Sequence, residues 1–132
     1  MQDSTITLPV DKTDTDTLVD VVFSRQEEYL HRSLYISADH KPDNRDTLGI
    51  YRSPIKPTSA YKGVMRTSCK FTKDVSVLNP VGETITSPMI AEISFSVPVG
   101  TSDADRLELA QRVGALALYR AVIAGLIDQQ SI

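Results

Sequence analysis

The periodicity of this chain changes once, and late. Across residues 89–99 apolar and polar side chains alternate. Ala91, Ile93, Phe95 and Val97 fall on one side of an extended chain, and Ile90, Glu92, Ser94 and Ser96 on the other. A few residues later, Thr101-Ser102-Asp103-Ala104-Asp105 reads as a helix start, with Ser102 as N-cap and acids in the first turn. Leu109, Val113 and Leu116 then follow at helical spacing. Strands first and helix last predict an α+β domain, with helix packed on one face of an antiparallel sheet.

The earlier residues fit that order. Residues 4–10 alternate and residues 17–23 are rich in β-formers, with a polar turn between them, so the two runs read as an N-terminal hairpin. Residues 26–30 are ambiguous and could form a short turn of helix. Strands are expected at 31–38, 47–53, 61–71 (extending to 77) and 89–99. Loops are expected at 39–45 and 54–59, where prolines and polar residues gather. Asn79-Pro80-Val81-Gly82 is a turn signal.

After residue 115 the chain stays apolar to 127, broken only by Tyr119, Arg120 and Gly125. One helix to residue 129, or two helices parted near Tyr119 or Arg120, both fit. A helix apolar on most sides needs cover on most sides, and a second subunit is the simplest cover. An obligate dimer is therefore expected.

Length and chemistry narrow the function. The 132 residues fit one domain, and the net charge of −3 argues on its own against nucleic acid. That average hides an asymmetry. Residues 1–30 carry seven acids and two bases, whereas residues 47–73 carry six bases and no acid. Within that basic stretch Lys62, Arg66 and Lys70 are spaced by four, which puts them on one side of a long strand. Such a row suits a phosphate backbone, and Tyr51 or Tyr61 could stack on an unpaired base. The plainer reading is that the three cations solvate the wet face of a half-buried sheet.

No enzyme signature, cofactor motif or metal site is visible. His31, His40 and Cys69 have no ligand spacing, and a lone cysteine excludes an internal disulfide and usually serves as a small core residue. Asp14 and Asp16 resemble the start of a calcium loop, but no glycine or bidentate glutamate follows where one is required. The N-terminus has no signal-peptide pattern, and no apolar run is long enough for a membrane span. The expected setting is a reducing cytoplasm or a particle assembled there, with no membrane partner.

Residues 91–97 (Ala-Glu-Ile-Ser-Phe-Ser-Val), the Thr101-to-Arg106 helix start and the apolar helix after it resemble the end of the levivirus coat proteins. The order of elements before it, including Tyr61-Lys62 ahead of a long strand and Leu34-Tyr35-Ile36-Ser37, is also similar, so the resemblance spans the chain. It implies a hairpin (1–25), a five-stranded antiparallel sheet (31–99) and two C-terminal helices (101–129). Two subunits would interlock, each laying its helices over the partner's sheet, so that one ten-stranded sheet runs through the dimer.

Function follows by the same implication. The chain would be a structural capsid protein of a single-stranded RNA bacteriophage, assembling as homodimers into an icosahedral shell inside the host bacterium. It would bind genomic RNA, or an RNA hairpin that represses replicase translation, on the inner sheet face. Carried over by position, that face takes Lys62, Val64, Arg66, Ile90 and Glu92. For residues 47–53, gapless matching selects Leu48, Ile50 and Arg52, whereas the hydrophobic pattern prefers Thr47, Gly49 and Tyr51, and the pattern is followed here. The loop at 78–87 would meet its copies around symmetry axes.

Two positions depart from the family. Ile90 stands where better-known members have a base-stacking tyrosine, and Cys69 lies outside the loop that some members cross-link. Two other classes remain in view: a dimeric RNA-binding repressor that forms no shell, and a small ligand-binding or enzymatic domain.

Overall fold

The structure, a computed structural model, describes residues 3–13 and 15–130. Six strands precede two helices: β1 (Thr5–Val10), β2 (Val19–Glu28), β3 (Arg32–Ser37), β4 (Asp46–Ser53), β5 (Val64–Leu78), β6 (Thr84–Pro98), α1 (Asp103–Leu118) and α2 (Arg120–Gln129). The strands form one antiparallel sheet in chain order, so the N-terminal hairpin is its edge rather than a separate layer. Four strands, β3 to β6, lie beyond the hairpin, where the resemblance implied five.

Register fixes which residues share a face. Ile6 pairs with Phe23, Tyr35 with Leu48, and Leu48 with Phe71. Directly opposed residues point the same way, so these side chains line one apolar face. Phe23, Tyr35 and Leu48 are its buried centre, at 4%, 0% and 4% exposure, with Ile6, Leu8, Val21, Ile50, Cys69 and Phe71 packed around them. The rings of Phe23 and Phe71 meet edge to face with centroids 5.9 Å apart. Tyr35 keeps its phenol satisfied inside by donating to the Asp3 carbonyl at 2.8 Å.

Several boundaries differ from expectation for local reasons. Residues 26–28 continue β2 across a β-bulge instead of turning into helix, since Glu27 and Glu28 pair with Leu34 and Ser33. Cross-strand pairing there outweighs the helical preference of Gln and Glu. β5 begins at Val64, not at residue 61, because Gly63 adopts φ +96°, outside strand geometry. β6 begins at Thr84, five residues earlier than the alternating pattern, and runs through Pro88. β6 ends the strand order, and an edge strand tolerates a residue that cannot donate.

The chain divides into two compact units: Met1–Lys56 with Met65–Ser96, and Pro57–Val64 with Val97–Ile132. The first holds nearly all of the sheet. In the second, the Val99 amide donates to the Gly63 carbonyl at 3.0 Å, and the helices follow. Ser102 caps α1, accepting from the Asp105 amide at 3.2 Å. Tyr119 adopts an extended backbone between the helices, which bend by 60° there, so the two-helix alternative is the one realised. No described residue of either helix is buried, and Leu118 and Ile127 are 84% and 74% exposed. No single helix is long and apolar enough to cross a membrane.

Candidate nucleic-acid interface

The apolar face fixes its opposite. Residues one position out of step with Leu48 and Phe71 point to the other side of the sheet. On β4 these are Thr47, Gly49, Tyr51 and Ser53, which pair with Thr72, Lys70, Ser68 and Arg66 of β5. On β3 Arg32 pairs with Tyr51, and Leu34 with Gly49. The second face is therefore polar and basic around Tyr51.

This register decides between the two readings of residues 47–53. Leu48 is core and Ile50 packs against it. Arg52 shares their side and is engaged there, its Nε and Nη2 donating to the Leu30 carbonyl at 3.1 and 2.7 Å. Thr47, Gly49 and Tyr51 face the other way, as the hydrophobic pattern required.

The row of three cations is shortened. Arg66 and Lys70 stand on β5 with the same parity, but Lys62 precedes the strand, in the other unit. Lys73 pairs with Asp46 and so belongs to the apolar side. Val64 opens β5 two residues before Arg66. Ile90 and Glu92 lie on β6, both exposed, in step with Ser94 and Ser96. Ser94 donates to Glu92 at 3.5 Å, as same-side neighbours two residues apart can.

A shallow groove of about 300 Å³ joins three of these strands. Tyr51, Ser53, Arg66, Ser68, Ser94 and Ser96 line it, with Arg52, Thr67 and Phe95 between them. The lining carries hydroxyls, two arginines and one phenol ring, and no carboxylate. Such a surface can receive a phosphate, a sugar and a flat base together. Arg32 and the two β6 serines were not singled out in the sequence, since the acid-free stretch that drew attention contains none of them. The signal that finds Arg32 is its pairing with Tyr51, which needs the register.

Gly49 shapes this surface. A β-carbon built on it would stand 2.6 Å from Tyr51 Oη and 2.7 Å from Tyr51 Cε2. The phenol end of Tyr51 thus occupies the space that any other residue at 49 would fill.

Elsewhere the chemistry is structural. Cys69 is half-buried on the apolar side, and burial raises its thiol pKa, which keeps it protonated and unreactive. Among the described residues no three His, Cys, Asp or Glu side chains converge to hold a metal. Asp14 lies outside the described residues. Nearby, the Asp11 carboxylate accepts from the amides of Thr15 and Asp16 at 3.1 and 3.0 Å, a self-closed polar turn. The β5–β6 turn is tied by Asn79, whose Oδ1 accepts from the amides of Val81 and Glu83 at 3.1 and 2.8 Å. The expected loop at 78–87 is accordingly only residues 79–83.

No family model and no curated protein matches the chain. Solved structures do. The virus-like particle of bacteriophage AVE019 superposes with a TM-score of 0.76 at 15% identity, covering 98% of this chain and 96% of that one. The virus-like particle of Beihai levi-like virus 32 gives 0.74 at 19% identity, covering 85% and 88%. The protein capsid of bacteriophage GA gives 0.64 at 16% identity, covering 97% and 95%. The sheet and paired helices described above are the RNA phage coat fold, and these neighbours are capsid proteins, not enzymes.

Proposed function

We propose that this chain, which has the coat fold of the RNA bacteriophages, is itself a coat protein that assembles into a closed shell around single-stranded RNA. The observation that carries the reading is the length of the likeness. Nearly the whole of this chain and nearly the whole of a particle-forming chain superpose.

Assembly begins with a dimer. Helices α1 and α2 have no buried residue, although Leu107, Leu116, Leu118, Val122, Leu126 and Ile127 lie on them. Exposed leucine and isoleucine in that number need cover, and apolar burial between copies supplies the driving force. β6 adds a second reason. As the last strand of the order, it has a free edge 15 residues long that can pair with another strand. Two copies joined edge to edge, each roofing the other's apolar sheet face with its helices, satisfy both needs. Repeated weaker contacts between dimers then close the shell.

The polar face turns inward and meets RNA through Arg66 and Lys70, with Tyr51 beside them. Each neutralised phosphate releases counterions, which favours packaging at low ionic strength. Val64, Ile90 and Glu92 flank this contact, and Lys62 adds charge from the preceding loop. Repression of replicase translation through an RNA hairpin is the finer part of the proposal, and it uses the same face. The protein's place is then the virion, after assembly in the host cytoplasm.

Analytical ultracentrifugation of the purified full-length chain tests the shell. Particles sedimenting far above a dimer support it. A dimer at every concentration contradicts it, and such a dimer that still bound RNA would be a free-standing repressor.

A further inference from the structure

Gly63 and Gly100 both adopt a left-handed backbone, at φ +96° and +97°. One hydrogen bond joins their surroundings, from the Val99 amide to the Gly63 carbonyl at 3.0 Å. Here the chain turns from strand to helix within four residues. Pro98 to Thr101 form a β-turn in which the Thr101 amide donates to the Pro98 carbonyl at 3.3 Å. The positive φ falls at the third residue of that turn, the type II pattern, which suits glycine or asparagine. The Thr101 hydroxyl donates to the same carbonyl at 2.7 Å, and Ser102 caps α1 directly after it. The loop that supplies Gly63 is itself closed, since Thr58 and Tyr61 exchange two backbone bonds at 2.7 and 3.3 Å. Residues 57–64 and the helices belong to one compact unit.

Space is not the reason for Gly100. A β-carbon there would meet no atom within 4 Å, so only the backbone conformation calls for glycine. Side-chain packing does little to hold the helices, because none of their described residues is buried. A locked corner thus leads into two helices whose apolar residues the chain itself leaves uncovered.

We propose that the Pro98–Thr101 corner, strapped to the Gly63 loop, is the device that aims α1 and α2 at a second copy. The inference rests on the dimer reading and adds to it the element that fixes the dimer's geometry. With the corner set before the copies meet, association does not also have to order the helix direction. The loop at 57–64 then has a part in the dimer clamp, apart from any charge that Lys62 offers to RNA. A variant that disfavours the left-handed residue relaxes the turn in the free chain, where no packing opposes it. The strain returns when the copies interlock, so the loss appears in the dimerisation constant.

The test uses the full-length chain in a urea series that partly dissociates the native dimer. Sedimentation equilibrium gives the dissociation constant, and circular dichroism follows the sheet. Gly100→Val is expected to weaken the dimer about 5- to 150-fold, the range for one residue forced into a disfavoured backbone region, while the sheet signal stays native. Gly100→Asn, which accepts a positive φ, is expected to dimerise nearly as the native chain does. Thr101→Val loses only the hydroxyl bond and is expected to weaken the dimer about 2- to 12-fold, and it serves as the test where Gly100→Val fails to fold. If Gly100→Val and Thr101→Val dimerise like the native chain, the corner does not set the dimer, and the dimer reading stands. If Gly100→Asn weakens the dimer as much as Gly100→Val, the backbone argument falls. A native chain that is monomeric at every concentration removes both.

Discussion

Arg45 and Asp74 hold each other from both backbone and side chain. The Arg45 amide and Nε donate to Asp74 Oδ2 at 2.9 and 3.1 Å, and Nη2 donates to Oδ1 at 3.1 Å. The Asp74 amide returns a bond to the Arg45 carbonyl at 2.8 Å. The carboxylate is nearly covered, at 6% exposure, and it pins the β3–β4 loop to β5.

A pH dependence follows. The hydrogen bonds from the Arg45 side chain and amide hold the Asp74 carboxyl below the usual carboxylate range. A group whose native pKa is depressed gives stability that is full above its unfolded-state pKa and is lost as pH falls through the native value. This pair's contribution should therefore be full from pH 7 to about pH 4, and should fall away progressively below about pH 4 as the pH drops through the depressed native value. Asp74→Asn should lower the melting temperature at pH 7 and flatten the acid limb. An unchanged acid limb in that variant would remove Asp74 from the account.

The two sides of β4 should respond differently to truncation. Leu48→Ala opens the core between Tyr35 and Phe71 and is expected to cost about 2–5 kcal/mol. Tyr51→Ala removes an exposed ring from the other side and should cost well under half of that. Denaturant melts of both variants check the register. Equal losses would contradict it.

The same register was only partly legible in the sequence. The period change near residue 100 showed through because alternation across residues 91–97 and the Ser102 cap are both local signals. The choice of Tyr51 over Arg52 was legible too, because Leu48 and Ile50 had to face the core. Hidden were the facts that depend on partners distant in sequence. By spacing alone Lys62 falls in step with Arg66 and Lys70, but Gly63, with φ +96°, leaves it ahead of β5. Residues 26–30 are ambiguous by local preference, and only the pairing of Glu27 and Glu28 with β3 decides for strand. The strand expected at 89–99 begins at Thr84 and runs through Pro88, which an edge strand tolerates. Arg32 and Gly49 belong to the site only through Tyr51, which lies across the sheet from one and along the strand from the other.

Charge on the polar face should control salt dependence. Arg66→Gln and Lys70→Gln should each lower the slope of log affinity against log salt for single-stranded RNA by about 0.7, the value for one lost phosphate contact. Lys73→Gln, on the apolar side, should leave the slope unchanged. Equal slopes for all three would place the RNA elsewhere.

The helices should carry the dimer. Ile127 and Leu118 are exposed in the single chain, so a charge there costs the monomer little. Ile127→Asp should therefore prevent dimerisation, read by size-exclusion chromatography with light scattering. A native dimer in that variant would move the interface away from α2.

The central claim is that the chain builds a shell. Its most direct test is electron microscopy of the full-length protein produced without other viral components. The sample is first treated with nuclease, and its ratio of absorbance at 260 to 280 nm is recorded. The account predicts uniform closed particles that retain protected RNA. Soluble dimers with no particles and no nucleic acid would contradict it.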